Sequence, residues 1–194
     1  MTSSDRTALP ADAKTRAAAR AGSCLDPAEL APGTAVRARV GFVCAEFNGG
    51  ITDRMLSAAL DELERQGCDL DATVVAWVPG AFELPLVARG MATTGRVDAV
   101  VALGAVIRGD TGHYDFVAGE CASGLQRVQL DTGLPVVFGV LTTDTVDQAL
   151  VRSLPDDTNK GAEAARTALE TVSVLRGLED LPSGSRVGFT SGGR

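Results

Sequence analysis

Val97-Asp98-Ala99-Val100-Val101-Ala102-Leu103-Gly104-Ala105-Val106-Ile107 is a long apolar run with one carboxylate near its start. A strand with one wet face would alternate apolar and polar side chains. This run does not, so it predicts a strand buried on both faces. A glycine-bracketed turn follows, Arg108-Gly109-Asp110-Thr111-Gly112, and His113 to Leu130 reads as a helix carrying Tyr114, Val117, Cys121, Leu125 and Val128 on one side. Toward the N-terminus, Val36 to Cys44 alternates apolar and basic residues and then turns apolar, as a strand entering a core would. Ile51, Met55, Ala59 and Leu63 recur at helical spacing through Ile51 to Gln66, a helix closed by Gly67. Thr73 to Val78 predicts a strand ending at Pro79-Gly80, and Phe82 to about Thr94 a helix with Pro85 in its first turn. Toward the C-terminus, Pro135 to Leu141 predicts a fourth strand, followed by helices over Thr145 to Leu154 and Gly161 to Leu178. Strand and helix alternate throughout, which predicts right-handed crossovers. The fold class is α/β: a three-layer sandwich with a four-stranded parallel sheet, flavodoxin-like, with helices on both faces.

Residues 1–35 are rich in Ala, Ser, Thr, Asp and Arg and are broken by Pro10, Pro27 and Pro32, so they are expected to form a flexible extension. The folded domain is expected over 36–180, with a flexible glycine- and serine-rich tail over 181–194. The whole chain is 45% hydrophobic and 22% charged, ordinary for a soluble globular protein. A net charge of −7 argues against nucleic acid or an anionic membrane as partner, since both attract a basic field. The four cysteines form no C-x-x-C pair, and three lie among apolar neighbours, which reads as reduced core thiols in a cytoplasmic protein. Arg6, Lys14, Arg16 and Arg20 have no apolar run behind them, so no secretory signal is expected, and no run is long enough to span a bilayer.

Ligands of such sheets bind at the carboxyl ends of the strands. The segments there are Glu46-Phe47-Asn48-Gly49-Gly50, Pro79-Gly80-Ala81-Phe82-Glu83 and Arg108-Gly109-Asp110-Thr111-Gly112-His113. His113 is the only histidine. Imidazole is the natural proton shuttle near neutrality, although a histidine opening a helix can equally be a surface residue. One histidine without a cluster of Cys or carboxylates cannot complete a zinc shell, so no metal is expected. The turn before His113 feeds a helix N-terminus that suits an anion, with Thr111 as a further donor, or it is only a turn. Asp110 disfavours phosphate unless it points away, and Arg152 and Lys160 are the candidate cations. They can also be read as helix-end charges on a solvated loop. Phe47 and Phe82 stand in glycine-flanked turns, either as core plugs or as stacking faces for a flat heterocycle. Asn48 and Glu83 beside them could hydrogen-bond such a ligand, and Glu83 could equally be a first-turn helix carboxylate.

Two longer segments carry a resemblance: Ala76-Trp77-Val78-Pro79-Gly80-Ala81-Phe82-Glu83-Leu84-Pro85, and Leu103 to Asp115 reading LGAVIRGDTGHYD. With Glu46-Phe47-Asn48, Phe138-Gly139-Val140-Leu141-Thr142-Thr143 and Asn159-Lys160-Gly161, in order and at matching spacing, they resemble the 6,7-dimethyl-8-ribityllumazine synthase family over about 36–178. That family joins 5-amino-6-(D-ribitylamino)uracil to 3,4-dihydroxy-2-butanone 4-phosphate in the penultimate step of riboflavin biosynthesis, without cofactor or metal. The resemblance implies that Phe47 stacks on the pyrimidine and that Ala81, Phe82 and Glu83 bind its edge and ribityl chain, assisted by Asn48. Val106 and Ile107 offer backbone groups, Arg108 belongs to the substrate-binding set, and Asp110 and Thr111 hold phosphate with Arg152. His113 shuttles protons, and Lys160 anchors the ribityl chain or supports closure. It also implies a homo-oligomer of pentamers, with a sixty-subunit shell possible, in which Phe138, Arg152 and Lys160 come from the neighbour of the chain giving Phe47 and His113. Three features depart from the family pattern: Asp110 where a neutral residue is common, a loose Gly49-Gly50 loop, and an acidic Pro155-Asp156-Asp157-Thr158 segment.

Rival readings use the same fold. A flavin- or nucleotide-binding module would occupy the same loops but leaves Phe47, Phe82, His113, Arg152 and Lys160 unexplained together. A shell protein without activity, or the archaeal type of riboflavin synthase, would share the scaffold.

Overall fold

The uninterrupted apolar run folds as the central strand of the sheet. In the computed structural model, which describes residues 38–181, β3 (Ala99–Ile107) is buried from Ala99 to Val106. It lies between β1 (Val40–Ala45) and β4 (Val136–Thr143), with β2 (Val74–Val78) outside β1. The order is β2-β1-β3-β4 and every pairing is parallel. The readings of residues 1–35 and of the tail beyond Leu181, including Cys24, lie outside the described residues.

Five helices cover this sheet: α1 (Gly49–Arg65), α2 (Leu84–Ala92), α3 (His113–Thr132), α4 (Val146–Val151) and α5 (Lys160–Glu179). Alternate strand residues decide which helices meet which face. Val40, Phe42, Cys44, Val101 and Leu103 pack on α1, α4 and α5, whereas Val43, Ala45, Val100, Ala102 and Val106 pack on α2 and α3. The result is the expected three-layer α/β sandwich. Cys44, Cys68 and Cys121 are buried within these two cores. No helix among the described residues is long and apolar enough to cross a membrane.

Element ends differ from expectation at several points, some through contacts distant in sequence and some through local turns. β4 continues past Leu141 because Thr142 and Thr143 pair with Val106 and Ile107. Gly49 and Gly50 are not a loose loop but the first turn of α1. Asn48 caps that helix in a left-handed conformation (φ 59°), and its Nδ2 donates to the Ala105 carbonyl at 2.8 Å. A single 3-10 turn, Ala81–Glu83, precedes α2, which therefore starts at Leu84. α4 is shorter than expected: Thr145 caps it, accepting from the Gln148 N–H at 3.2 Å, and the chain turns away at Arg152.

At the amino end of the sheet, Arg39 binds Asp98 through its backbone N–H and its guanidinium, and Arg176 approaches from α5 at 3.4 Å. Burial alone would raise the Asp98 pKa, but the bonds from Arg39 outweigh it and hold the carboxyl below its usual range. The carboxyl end of the sheet is where the helices begin and where the candidate side chains gather.

Candidate active site

Two chain segments cross the carboxyl ends of β1 and β2 together. The Glu46 N–H donates to the Val78 carbonyl at 2.8 Å, and the Phe47 N–H to the Pro79 carbonyl at 3.1 Å. This pairing sets Phe47 against Pro79-Gly80. β3 outruns β1, because their register ends at Cys44 and Leu103 while β3 continues to Ile107. The β1-facing edge of Ala105, Val106 and Ile107 therefore opens into a cleft of about 650 Å³, which Phe47, Ala81, Phe82, Glu83, Thr111 and His113 also line. Phe47 is 71% exposed and Phe82 58% exposed, so neither is a core plug. Large apolar rings held in water beside a cleft suit stacking on a flat ligand. His113 opens α3 at the rim, and its backbone N–H donates to the Thr111 hydroxyl at 3.4 Å.

Among the described residues lining this cleft there is no lysine or arginine, and the only carboxylate is Glu83. The candidate cations lie elsewhere. Phe138, Arg152 and Lys160 line a second cavity of about 540 Å³ along the outer edge of β4, with Glu163 beside them. No described residue lines both cavities. The chain between the two cations is tightly folded. The Lys160 N–H donates to the Arg152 carbonyl at 2.9 Å, which sets the two residues side by side. Buried Asn159 caps α5 through its Oδ1, which accepts from the Gly161 and Ala162 N–H groups, and its Nδ2 donates to the Leu154 carbonyl. Asp156 accepts from the Thr158 N–H and hydroxyl, which holds its carboxyl below its usual pKa; the acidic segment is thus partly engaged with itself. Lys160 forms an ion pair with Glu163 one turn along α5.

Three candidates stand apart from both cavities. Asn48 spends its amide on Ala105, so it fixes the loop that carries Phe47. Asp110 is exposed. Arg108 is engaged by Asp115 and then by Asp144, which raise its pKa, and its Cζ lies 4.0 Å from the centre of the Tyr114 ring. Sequence reasoning missed Phe116, 72% exposed on the same turn as His113, and Glu163. An apolar ring three residues after the only histidine, and a carboxylate three residues after Lys160, were the available signals. Among the described residues no cluster of His, Cys, Asp or Glu is arranged to hold a metal ion.

The family model described as 6,7-dimethyl-8-ribityllumazine synthase matches residues 37–176, which includes every candidate side chain. The chain belongs to that family. The 6,7-dimethyl-8-ribityllumazine synthase of Edwardsiella ictaluri (strain 93-146) is 54% identical over 146 residues, covering 75% of this chain and 94% of the relative. The protein of the same name from Protochlamydia amoebophila (strain UWE25) is 49% identical over 158 residues, covering 80% and 92%. Membership of the lumazine synthase family makes the chain an enzyme of riboflavin biosynthesis, a transferase forming the ribityllumazine.

Proposed function

We propose that the chain condenses 5-amino-6-(D-ribitylamino)uracil with 3,4-dihydroxy-2-butanone 4-phosphate at a site completed by a second copy. One copy gives the cleft around Phe47, Phe82 and His113; its neighbour gives Phe138, Arg152 and Lys160. The observation that carries this reading is that no described residue lining the cleft is a lysine or arginine, while Arg152 and Lys160 lie on the outer edge of β4. On this reading a phosphorylated substrate in the cleft draws its counter-charge from the β4 edge of another copy. The same reading makes the protein a cytoplasmic homo-oligomer built from pentamers.

Phe47 stacks on the pyrimidine, Ala81, Phe82 and Glu83 bind its edge and ribityl chain together with the neighbour's Lys160, and Thr111 with the neighbour's Arg152 holds phosphate. The pyrimidine's 5-amine adds to the ketone, and loss of water gives an imine. His113 moves protons as phosphate is eliminated. Elimination leaves an enol that tautomerises to a ketone; the ribityl-bearing nitrogen then adds to this new carbonyl, and a second water leaves. Every step is an addition, an elimination or a proton transfer. Holding the two reactants together supplies about 7–11 kcal/mol of the barrier in well-oriented cases. A positioned base adds about 10²–10⁴-fold.

The test is lumazine absorbance from the two substrates. The full chain is expected to form lumazine far above the uncatalysed mixture, Arg152→Ala to collapse toward background, and His113→Ala to fall more modestly. An assembled protein no faster than the mixture alone would overturn the reading.

A further inference from the structure

Arg108 does not line the cleft, yet it touches the elements around the His113 turn. Its Nε donates to Asp144 Oδ1 at 3.1 Å, just past β4. Its Nη2 donates to Asp115 Oδ1 at 3.2 Å in the first turn of α3, and its Cζ lies over the Tyr114 ring at 4.0 Å. Its backbone N–H donates to the Thr143 carbonyl at 2.9 Å, so the residue itself is anchored to β4. The Arg108, Asp115 and Asp144 side chains are 43%, 64% and 69% exposed, and ion pairs that wet add little to stability. A planar guanidinium held by two carboxylates and a ring does, however, fix direction. Direction matters here because His113 stands between Arg108 and its partners in sequence, at the end of a turn with Gly109 and Gly112. Glycines leave such a turn free to swing unless something spans it.

We infer that Arg108 is a positioning residue. It clasps Tyr114 and Asp115 to Asp144 and so holds the His113 turn at the cleft, without binding substrate itself. The inference rests on the proposed role of His113 as proton shuttle. With both carboxylates already on its guanidinium, Arg108 is poorly placed to serve as a phosphate ligand, although its charge alone would suggest one.

Steady-state lumazine formation by assembled full-length protein tests this with Arg108→Met, Arg108→Lys, Asp115→Asn, and Arg108→Met combined with His113→Ala. Arg108→Met is expected to lower kcat about tenfold, less than the about 10²–10⁴-fold of a whole proton-transfer group because His113 is misplaced rather than removed, with KM for the ketose phosphate held within about twofold. Asp115→Asn should move kcat the same way, and Arg108→Lys should recover only part, since ammonium lacks the fork. In the His113→Ala background Arg108→Met should cost nothing further, because the group it positions is gone. A rise in KM at constant kcat, with Asp115→Asn lowering KM by freeing the arginine, would make Arg108 a phosphate ligand and overturn the inference. An undiminished loss in the His113→Ala background would reduce it to fold support. If Arg108→Met fails to assemble, Asp115→Asn with and without His113→Ala decides by the same criterion. An inactive wild type would remove the proposed function on which the inference rests, a result distinct from all of these.

Discussion

Cys44 and Cys121 are fully buried, one on each side of the sheet, and burial pushes each thiol up to about 12. For Cys44 the nearby Asp53 charge adds to this. Because the folded pKa is raised, the contribution to stability is fully present below the ordinary thiol pKa of 9.0 and is lost as pH rises toward about 12. Folded protein at mildly alkaline pH should therefore leave Cys44 and Cys121 unlabelled by a thiol reagent, and unfolding should expose both. Peptide mass spectrometry reads this; modification of either at the rate of a free thiol in folded protein would contradict it. The same removal from water is withheld from Phe47 and Phe82. Two exposed rings forgo about 1.5–3 kcal/mol each of burial, a cost that makes sense where a ligand covers them.

At the scale of elements, the entry of α5 is set by a contact with no room for a side chain. A Cβ on Gly161 would lie 1.9 Å from the Met55 carbonyl oxygen of α1, so the two helices meet backbone to backbone at the residue after Lys160. Gly161→Ala must push α5 away. We expect about 3 kcal/mol of lost stability, at the upper end for overpacking because the obstacle is backbone. Thermal unfolding measures it, and a change of under about 0.5 kcal/mol, the size of an ordinary surface substitution, would contradict the packing described. This contact also shows what the sequence could not disclose. β3 was legible because burial on both faces leaves a local signature, an unbroken apolar run, and α3 because its buried stripe repeats at helical spacing. The positions of the loop residues at the carboxyl ends were legible from their glycines and prolines. What was hidden depends on partners distant along the chain: Ala105 for Asn48, Asp144 for Arg108, Val106 and Ile107 for the last residues of β4. Gly49 and Gly50 look like a loop in any local reading, and only the Asn48 cap turns them into a helix start.

At the scale of the whole molecule, the described residues of one chain present an aromatic cleft without a lysine or arginine and a cationic groove without the aromatic pair. One continuous set of bonds connects the two within a chain. Arg108 binds Asp144, the Asp144 N–H donates to Gln148 Oε1 at 2.9 Å, and Arg152 Nη1 donates to the Gln148 carbonyl at 2.9 Å. On the proposed reading each copy offers two half-sites held in fixed relation, the arrangement a closed ring of identical chains needs if every interface is to be complete. The direct measurement mixes two defective variants, Phe47→Ala/Phe82→Ala and Arg152→Ala, each near background in lumazine formation alone. They are dissociated, combined in equal amounts and reassembled, with mixed oligomers verified by native mass spectrometry. If each site is shared between copies, random mixing restores about a quarter of wild-type activity, because a site works whenever both its halves come from unmutated sides. Verified mixed oligomers no more active than the average of the two parents would contradict a shared site.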